Sequence, residues 1–180
     1  MTTQPSPVSL QAHFDAAASS LSYAVRNDGP TEVFLFNLLY SDIDDQGQYR
    51  ADRNLCTVDV DEGVVVVGKK IPPVPPMMFV EARNIPCVTP VAPGETFRET
   101  LLLQQPLAPW SPYRPAVPRT QATTLPLVFE LGYFVAQEGT RALARQVRTT
   151  LGPAMRFAPF PDDSQRLVRS APLGSIAVLP

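Results

Sequence analysis

The sequence predicts an all-β fold, an antiparallel β-sandwich of about seven to nine strands with a proline-rich excursion and an irregular C-terminal tail. Three observations carry that prediction. Apolar residues recur with a period of two in several segments, the spacing that sends alternate side chains to opposite faces of a strand. Proline accounts for 21 of 180 residues, against roughly 9 at the average usage of about 5%, and a helix tolerates proline poorly beyond its first turn. Clusters of Gly, Pro, Asn and Asp separate the apolar segments, as in sandwiches and barrels.

Taken in order, Val8, Leu10, Ala12 and Phe14 alternate with Ser9, Gln11, His13 and Asp15, which makes a first strand with one wet face. Leu21, Tyr23 and Val25 alternate with Ser22, Ala24 and Arg26 in a second. Asn27-Asp28-Gly29-Pro30 then turns the chain, because Gly accepts positive φ, Pro presets φ, and Asn and Asp bond their own backbone. Val33 to Tyr40 is apolar on both faces. Val33, Leu35 and Leu39 share one face, Phe34, Phe36, Leu38 and Tyr40 the other, and Asn37 is the polar break. A strand of that kind belongs in the middle of the fold.

Ser41 to Asn54 is polar and reads as an exposed loop. Cys56, Val58 and Val60 form a further alternating strand, Asp61-Glu62-Gly63 a turn, and Val64 to Val67 a β-branched strand that is stiff at χ1. Ile71 to Pro76 ends it, since proline donates nothing to a ladder. A short strand is expected near Met77–Arg83. Val91 to Glu95 is a turn, followed by alternation from Phe97 to Leu103. Leu127 to Gln137 is a long core strand and Gln137 to Thr140 a hairpin turn. Arg141 to Thr150 is read as the returning strand, although Arg141, Arg145 and Arg148 also fit one stripe of a short helix. Short strands are expected near Gln165–Arg169 and Ser175–Leu179. Residues 1–150 are thus assigned to the sandwich, with a proline-rich insertion at 105–125, and residues 151–180 to an extension packing on it or pairing with it.

The run of strand, Asn27-Asp28-Gly29-Pro30 and apolar strand, followed by Pro93-Gly94-Glu95-Thr96-Phe97-Arg98-Glu99-Thr100-Leu101, resembles bacterial immunoglobulin-like sandwich domains. The layout is similar to that of the bacterial intracellular proteinase-inhibitor family. The resemblance covers residues 20–41 and 91–103, rests on turn chemistry, and implies an immunoglobulin-like fold without assigning any functional residue.

Composition bounds the function. Residues 1–65 carry ten acids and three arginines (−7), residues 66–180 seven acids and twelve basic residues (+5). Neither half has a basic block of the kind that binds nucleic acid. The asymmetry also fits two solvated faces or head-to-tail complementarity between copies. The chain opens without a basic and apolar leader, and no apolar run approaches the ~20 residues of a membrane span. A cytoplasmic protein that engages neither membrane nor nucleic acid is expected.

Catalytic, cofactor and metal sites are not expected. His13 is the single histidine, on the wet face of its strand, and no G-x-S-x-G motif accompanies it. Cys56 and Cys87 lack C-x-x-C or zinc spacing. Asp42 to Gly47 opens like a calcium loop, but the twelfth position is Arg53 where a bidentate Glu is needed. Lys69-Lys70-Ile71-Pro72-Pro73-Val74-Pro75 matches a basic P-x-x-P ligand pattern on paper.

Pro106, Pro109, Pro112, Pro115 and Pro118 recur at every third residue. Polyproline II has three residues per turn, so the rings would share one edge and Leu107, Trp110, Tyr113 and Ala116 another. Such a rod either presents an aromatic edge to a partner or lies on the protein's own sandwich and covers an open strand. The expected function is a non-enzymatic protein-binding or assembly protein acting through strand edges and this ladder. Leu107, Trp110, Tyr113 and Arg114 are the candidate contacts, and the partner is another protein or a second copy in a homo-oligomer. The alternative is a protease inhibitor presenting a proline-stiffened loop.

Overall fold

A computed structural model describes residues 6–114, 120–160 and 164–179. Its strands are β1 (Val8–Asp15), β2 (Ser20–Asn27), β3 (Val33–Leu38), β4 (Tyr40–Ile43), β5 (Tyr49–Ala51), β6 (Thr57–Asp61), β7 (Val64–Lys69), β8 (Cys87–Val91), β9 (Thr96–Leu102), β10 (Thr123–Val135), β11 (Arg145–Thr149), β12 (Gly152–Arg156), β13 (Arg166–Arg169) and β14 (Ser175–Val178). A 3-10 turn spans Thr140–Leu143. The all-β class holds, and no helix among the described residues is long and apolar enough to cross a membrane.

Two sheets face each other. The smaller is antiparallel in the order β1-β2-β9; the larger runs β4-β5-β11-β12-β8-β3-β10-β7-β6, with β13 and β14 also on β10, and curls into a half-barrel. Between them lies the main core, where Leu21, Tyr23, Val25 and Leu101 meet Val33, Leu35, Val65, Val67, Phe129 and Leu131. A second core covers the opposite face of β3 and β10, where Phe34, Phe36 and Phe134 pack with Ile71, Ile85, Val88 and Phe157. The two-faced pattern of residues 33–36 has this cause. Val33 and Leu35 enter one core, Phe34 and Phe36 the other.

The two turn motifs meet. Asn27 is fully buried, donates from Nδ2 to Thr31 O (2.8 Å) and Val91 O (2.9 Å), and accepts from Gly29 N at Oδ1 (3.0 Å). Its main chain accepts from Gly94 N (2.8 Å) and donates to Glu95 O (3.0 Å). One residue therefore ties the 27–30 turn to the 92–95 turn that leads from the large sheet into β9.

Several expectations need correction. Among the described residues there are fourteen strands instead of seven to nine; β13 and β14 lie where short strands were expected, whereas β4, β5 and β12 span only three to five residues and show no periodic signature. Residues 41–54 are not simply a loop but hold β4 and the β4–β5 hairpin. No strand forms over Met77–Arg83: four prolines precede it, and Met77 sits in the left-handed region at φ 69°. The strand comes later, as β8, and includes Pro90. Proline is tolerated there because the ring nitrogen faces away from β3, on the side where β12 reaches only Val88 through Met155. β11 does pair as a strand, but with β12 and β5, not as a hairpin return on β10. Nor is pairing purely antiparallel, since β7 runs parallel to β10 from Val65–Leu127 to Lys69–Leu131. The boundary assigned at residue 150 falls in the turn between β11 and β12.

Gly132 of β10 is closely approached by its neighbours. A Cβ there would lie 2.5 Å from Gln165 Oε1 and 2.9–3.0 Å from Lys70 Cβ and Cα. Gln165 Oε1 in turn accepts from Ile71 N (2.7 Å), so the clash would disturb the exit of the chain from β7. Gly132→Ala is expected to lower unfolding free energy by about 1–3 kcal/mol, the usual cost of overpacking, in urea denaturation followed by circular dichroism, whereas Gly47→Ala would act only through its local backbone strain.

Candidate functional site

The proline-rich segment packs on its own protein as far as it is described. Leu107 is buried and bonds β14, donating to Ala177 O (2.8 Å) and accepting from Leu179 N (2.7 Å). Trp110 is half-buried and exchanges two main-chain bonds with Val58 of β6 (3.0 and 2.9 Å), which covers the outer edge of that strand. Arg114 N donates to Ser111 O (3.1 Å), so the chain turns there and does not continue as a straight rod. Tyr113 is half-buried and its hydroxyl accepts from Asn84 N (2.7 Å); Arg114 is exposed and pairs with Asp59 (3.0 Å). Pro115, Ala116 and Pro118 of the ladder lie outside the described residues.

Tyr113 thereby braces a different segment, the loop between β7 and β8. Ile71 and Ile85 anchor its ends in the second core, and Asn84 is held by Tyr113. Between the anchors, Pro72, Pro73, Pro75 and Pro76 restrict the backbone, and Met78 N donates to Pro75 O (3.1 Å). At the tip, Phe79 is 100% exposed and Met77 95%. Sequence reasoning missed these residues by taking them as a strand. The available signal was four apolar residues, Met77 to Val80, directly after a proline cluster that forbids pairing.

Comparison with family models, curated proteins and solved structures found no match.

A cleft of about 1120 Å³ opens beside β9. Cross-strand register sets Gln11, Ala24 and Arg98 in one row and His13, Ser22 and Thr100 in the next, and both rows border it. The facing wall comes from Thr89 and Pro90 of β8 and from the β11–β12 hairpin, including Gln146 and Met155. His13 is exposed, as expected for a wet strand face, and Ser22 Oγ lies 2.9 Å from Thr100 Oγ1.

Asn37, Arg53 and Glu99 also border the cleft, and Lys69 joins them from within the protein. Lys69 is completely buried; its ammonium donates to Asn37 O (2.8 Å) and Arg53 O (2.6 Å), with Glu99 Oε2 at 3.8 Å. Tyr23 OH donates to the same carboxylate oxygen at 2.6 Å. Burial holds the Lys69 ammonium below the usual lysine range, against the opposing pull of Glu99. Burial, followed by the Glu99 charge, pushes the Tyr23 phenol up. Lys70 pairs with Glu130, so neither lysine of the P-x-x-P pattern is free to act as its basic anchor.

The other candidates resolve into structure. Asp44 Oδ1 accepts from Gln46 N (3.0 Å) and Gln48 N (2.9 Å), shaping the β4–β5 hairpin. Among the described residues no group of three His, Cys, Asp or Glu is placed to hold a metal ion. Cys56 and Cys87 are both free and buried.

Burial pushes the Cys56 thiol up to about 11, with nearby Lys69 opposing the shift. The folded state thus keeps a proton that the unfolded chain loses above about pH 9. Stability from this group is complete below pH 9 and declines as pH rises through 11. Lys69 works in the opposite sense, because its folded pKa is depressed. Cys56→Ala should therefore flatten the pH 8–11 stability profile by about 2 kcal/mol, measured as urea unfolding at closely spaced pH values; an unchanged profile would remove Cys56 from the alkaline transition.

Proposed function

We propose that this chain is a non-enzymatic protein-binding protein whose contact element is the Met77–Phe79 tip of the β7–β8 loop. The carrying observation is the pair of almost wholly exposed apolar side chains on a loop anchored at both ends. Scattered exposed hydrophobes are ordinary; two at full exposure on a proline-restricted loop are matched to a pocket on something else. Prolines reduce the freedom lost on docking, so a larger share of the contact energy appears as affinity. In this reading Tyr113, Trp110 and Leu107 act through the loop and the strands they hold, and Arg114 flanks them. An immunoglobulin-like sandwich remains the proposed ancestry of the two facing sheets, supported by the two turn motifs joined at Asn27. The two free thiols support a cytoplasmic setting.

A second reading is favoured by the same loop: a protease inhibitor in which Phe79 enters a specificity pocket for large apolar residues. Its proline bracing suits an inhibitor that must resist distortion.

The double variant Met77→Ser, Phe79→Ser is expected to melt like the parent, within about 0.5 kcal/mol, because both side chains are exposed. A photo-crosslinking residue at position 79 should yield one discrete adduct in a lysate of the source cells, competed by unlabelled parent but not by the double variant. Absence of any competed adduct would refute the binding reading. Inhibition of a chymotrypsin-like protease at micromolar parent protein, lost in Phe79→Ser, would select the inhibitor; a panel of uninhibited proteases would discard it.

A further inference from the structure

Beyond the loop, we propose that the outer edge of β9 is a second binding site, which takes an extended acidic polypeptide segment by strand addition inside the cleft. Backbone polarity comes first. Asn27 N donates to Glu95 O and Leu103 N to Ser19 O, so the odd-numbered residues of β9 face β2. The N–H and C=O groups of Thr96, Arg98, Thr100 and Leu102 consequently point the other way. Leu102 confirms the direction, since its N–H donates outward to Asn54 Oδ1 (2.9 Å). β9 ends its sheet, and among the described residues nothing pairs with the outward groups of Arg98 and Thr100.

Two edges elsewhere in this protein are covered: Trp110 bonds the outer edge of β6, and Leu107 bonds β14. An open edge is an aggregation hazard that proteins suppress unless it is used. β9 has been left open beside a cleft, with Phe97, Arg98, Glu99 and Thr100 all bordering it. With Leu102 N–H taken by Asn54, residues 96–101 of β9 remain open and span about 20 Å at strand rise, room for a segment of five or six residues.

The side chains decide the chemistry of the guest. Arg53 and Arg98 border the cleft, are exposed, and have no ion pair among the described residues. His13 lies in the adjoining row. The single carboxylate of the cleft, Glu99, is already engaged by Tyr23 and faces Lys69. Unneutralised charge is thus cationic, and a strand with carboxylates at alternate positions complements it.

The test is fluorescence anisotropy of the full chain with fluorescein-labelled decapeptides of alternating valine and glutamate, the same with lysine for glutamate, and the glutamate peptide N-methylated at alternate residues. The glutamate peptide is expected to bind at micromolar concentration, and the lysine and N-methylated peptides at least tenfold more weakly. Thr100→Pro removes one outward N–H and no main-chain bond to β2, losing there only the hydroxyl contact to Ser22, and should weaken binding at least tenfold; Arg98→Glu should reverse the charge preference. The Met77→Ser, Phe79→Ser variant should bind the peptide like the parent, which separates this site from the loop. No binding, or equal binding of the N-methylated peptide, overturns the proposal whether or not Thr100→Pro folds. A concentration-dependent dimer in sedimentation that Thr100→Pro abolishes would give the edge to a second copy and overturn the acidic-peptide assignment.

Discussion

Everything in this protein is arranged around one strand of thirteen residues that is paired along its whole length. Along β10, Thr123–Pro126 pair with β14, Leu127–Leu131 with β7, Glu130–Tyr133 with β13 and Tyr133–Val135 with β3. The pleat sends Leu127, Phe129, Leu131 and Tyr133 into the main core and Phe134 into the second. Full burial of a side chain of this size contributes roughly 1.5–3 kcal/mol, so these residues together outweigh any single polar contact in the fold. Because different partners occupy successive stretches of β10, neighbouring strands cannot remain coplanar, and right-handed twist accumulates along it. The curl of the large sheet follows from that division.

The small sheet depends on a different force at its open end. Val25, Leu21 and, on β9 itself, Leu101 rest on apolar packing, but at Glu99 of β9 the contact is to Lys69 and Tyr23. A buried ammonium loses its hydration at a cost of several kcal/mol, which only well-placed acceptors offset. Lys69 has two carbonyls and a nearby carboxylate, drawn from β3, from the segment before β6 and from β9. The arrangement is weak evidence for stability and stronger evidence for register. Three segments distant in sequence must converge for the charge to be tolerated, and the place where they converge borders the cleft.

Much of the fold was legible because its signals are local. Alternation in residues 8–14, 20–27 and 97–103 and the two-faced run after Val33 each report one strand's own burial. The Asn27 and Gly94 turns could be read separately, though nothing in the sequence said that Asn27 would bond both. β8 escaped notice because Pro86 and Pro90 argue against a strand unless one knows which side of it lacks a partner. The three-residue repeat of prolines from 106 singled out the segment, but whether Trp110 would meet solvent or Val58 depends on an edge built about fifty residues earlier. The cleft was least legible of all. Its walls join residues near 13, 22, 37, 89, 99 and 149, and no local pattern encodes such a meeting.

Proline links the exposed loop to the sealed edges. At 72, 73, 75 and 76 it removes successive donors, so β7 cannot extend and the chain must leave the sheet. The next segment, Met77 to Val80, has the apolar character of a strand but no edge within reach, and its tip ends up in solvent. From 106 onward, prolines alternate with residues that do pair, and the chain covers β6 and β14 at Trp110 and Leu107 without becoming a full strand that would itself expose another edge. The same residue type thus exposes one segment and seals two edges. The difference lies in spacing: adjacent prolines abolish pairing, whereas prolines three apart leave a donor at the positions where Val58 and Ala177 need one.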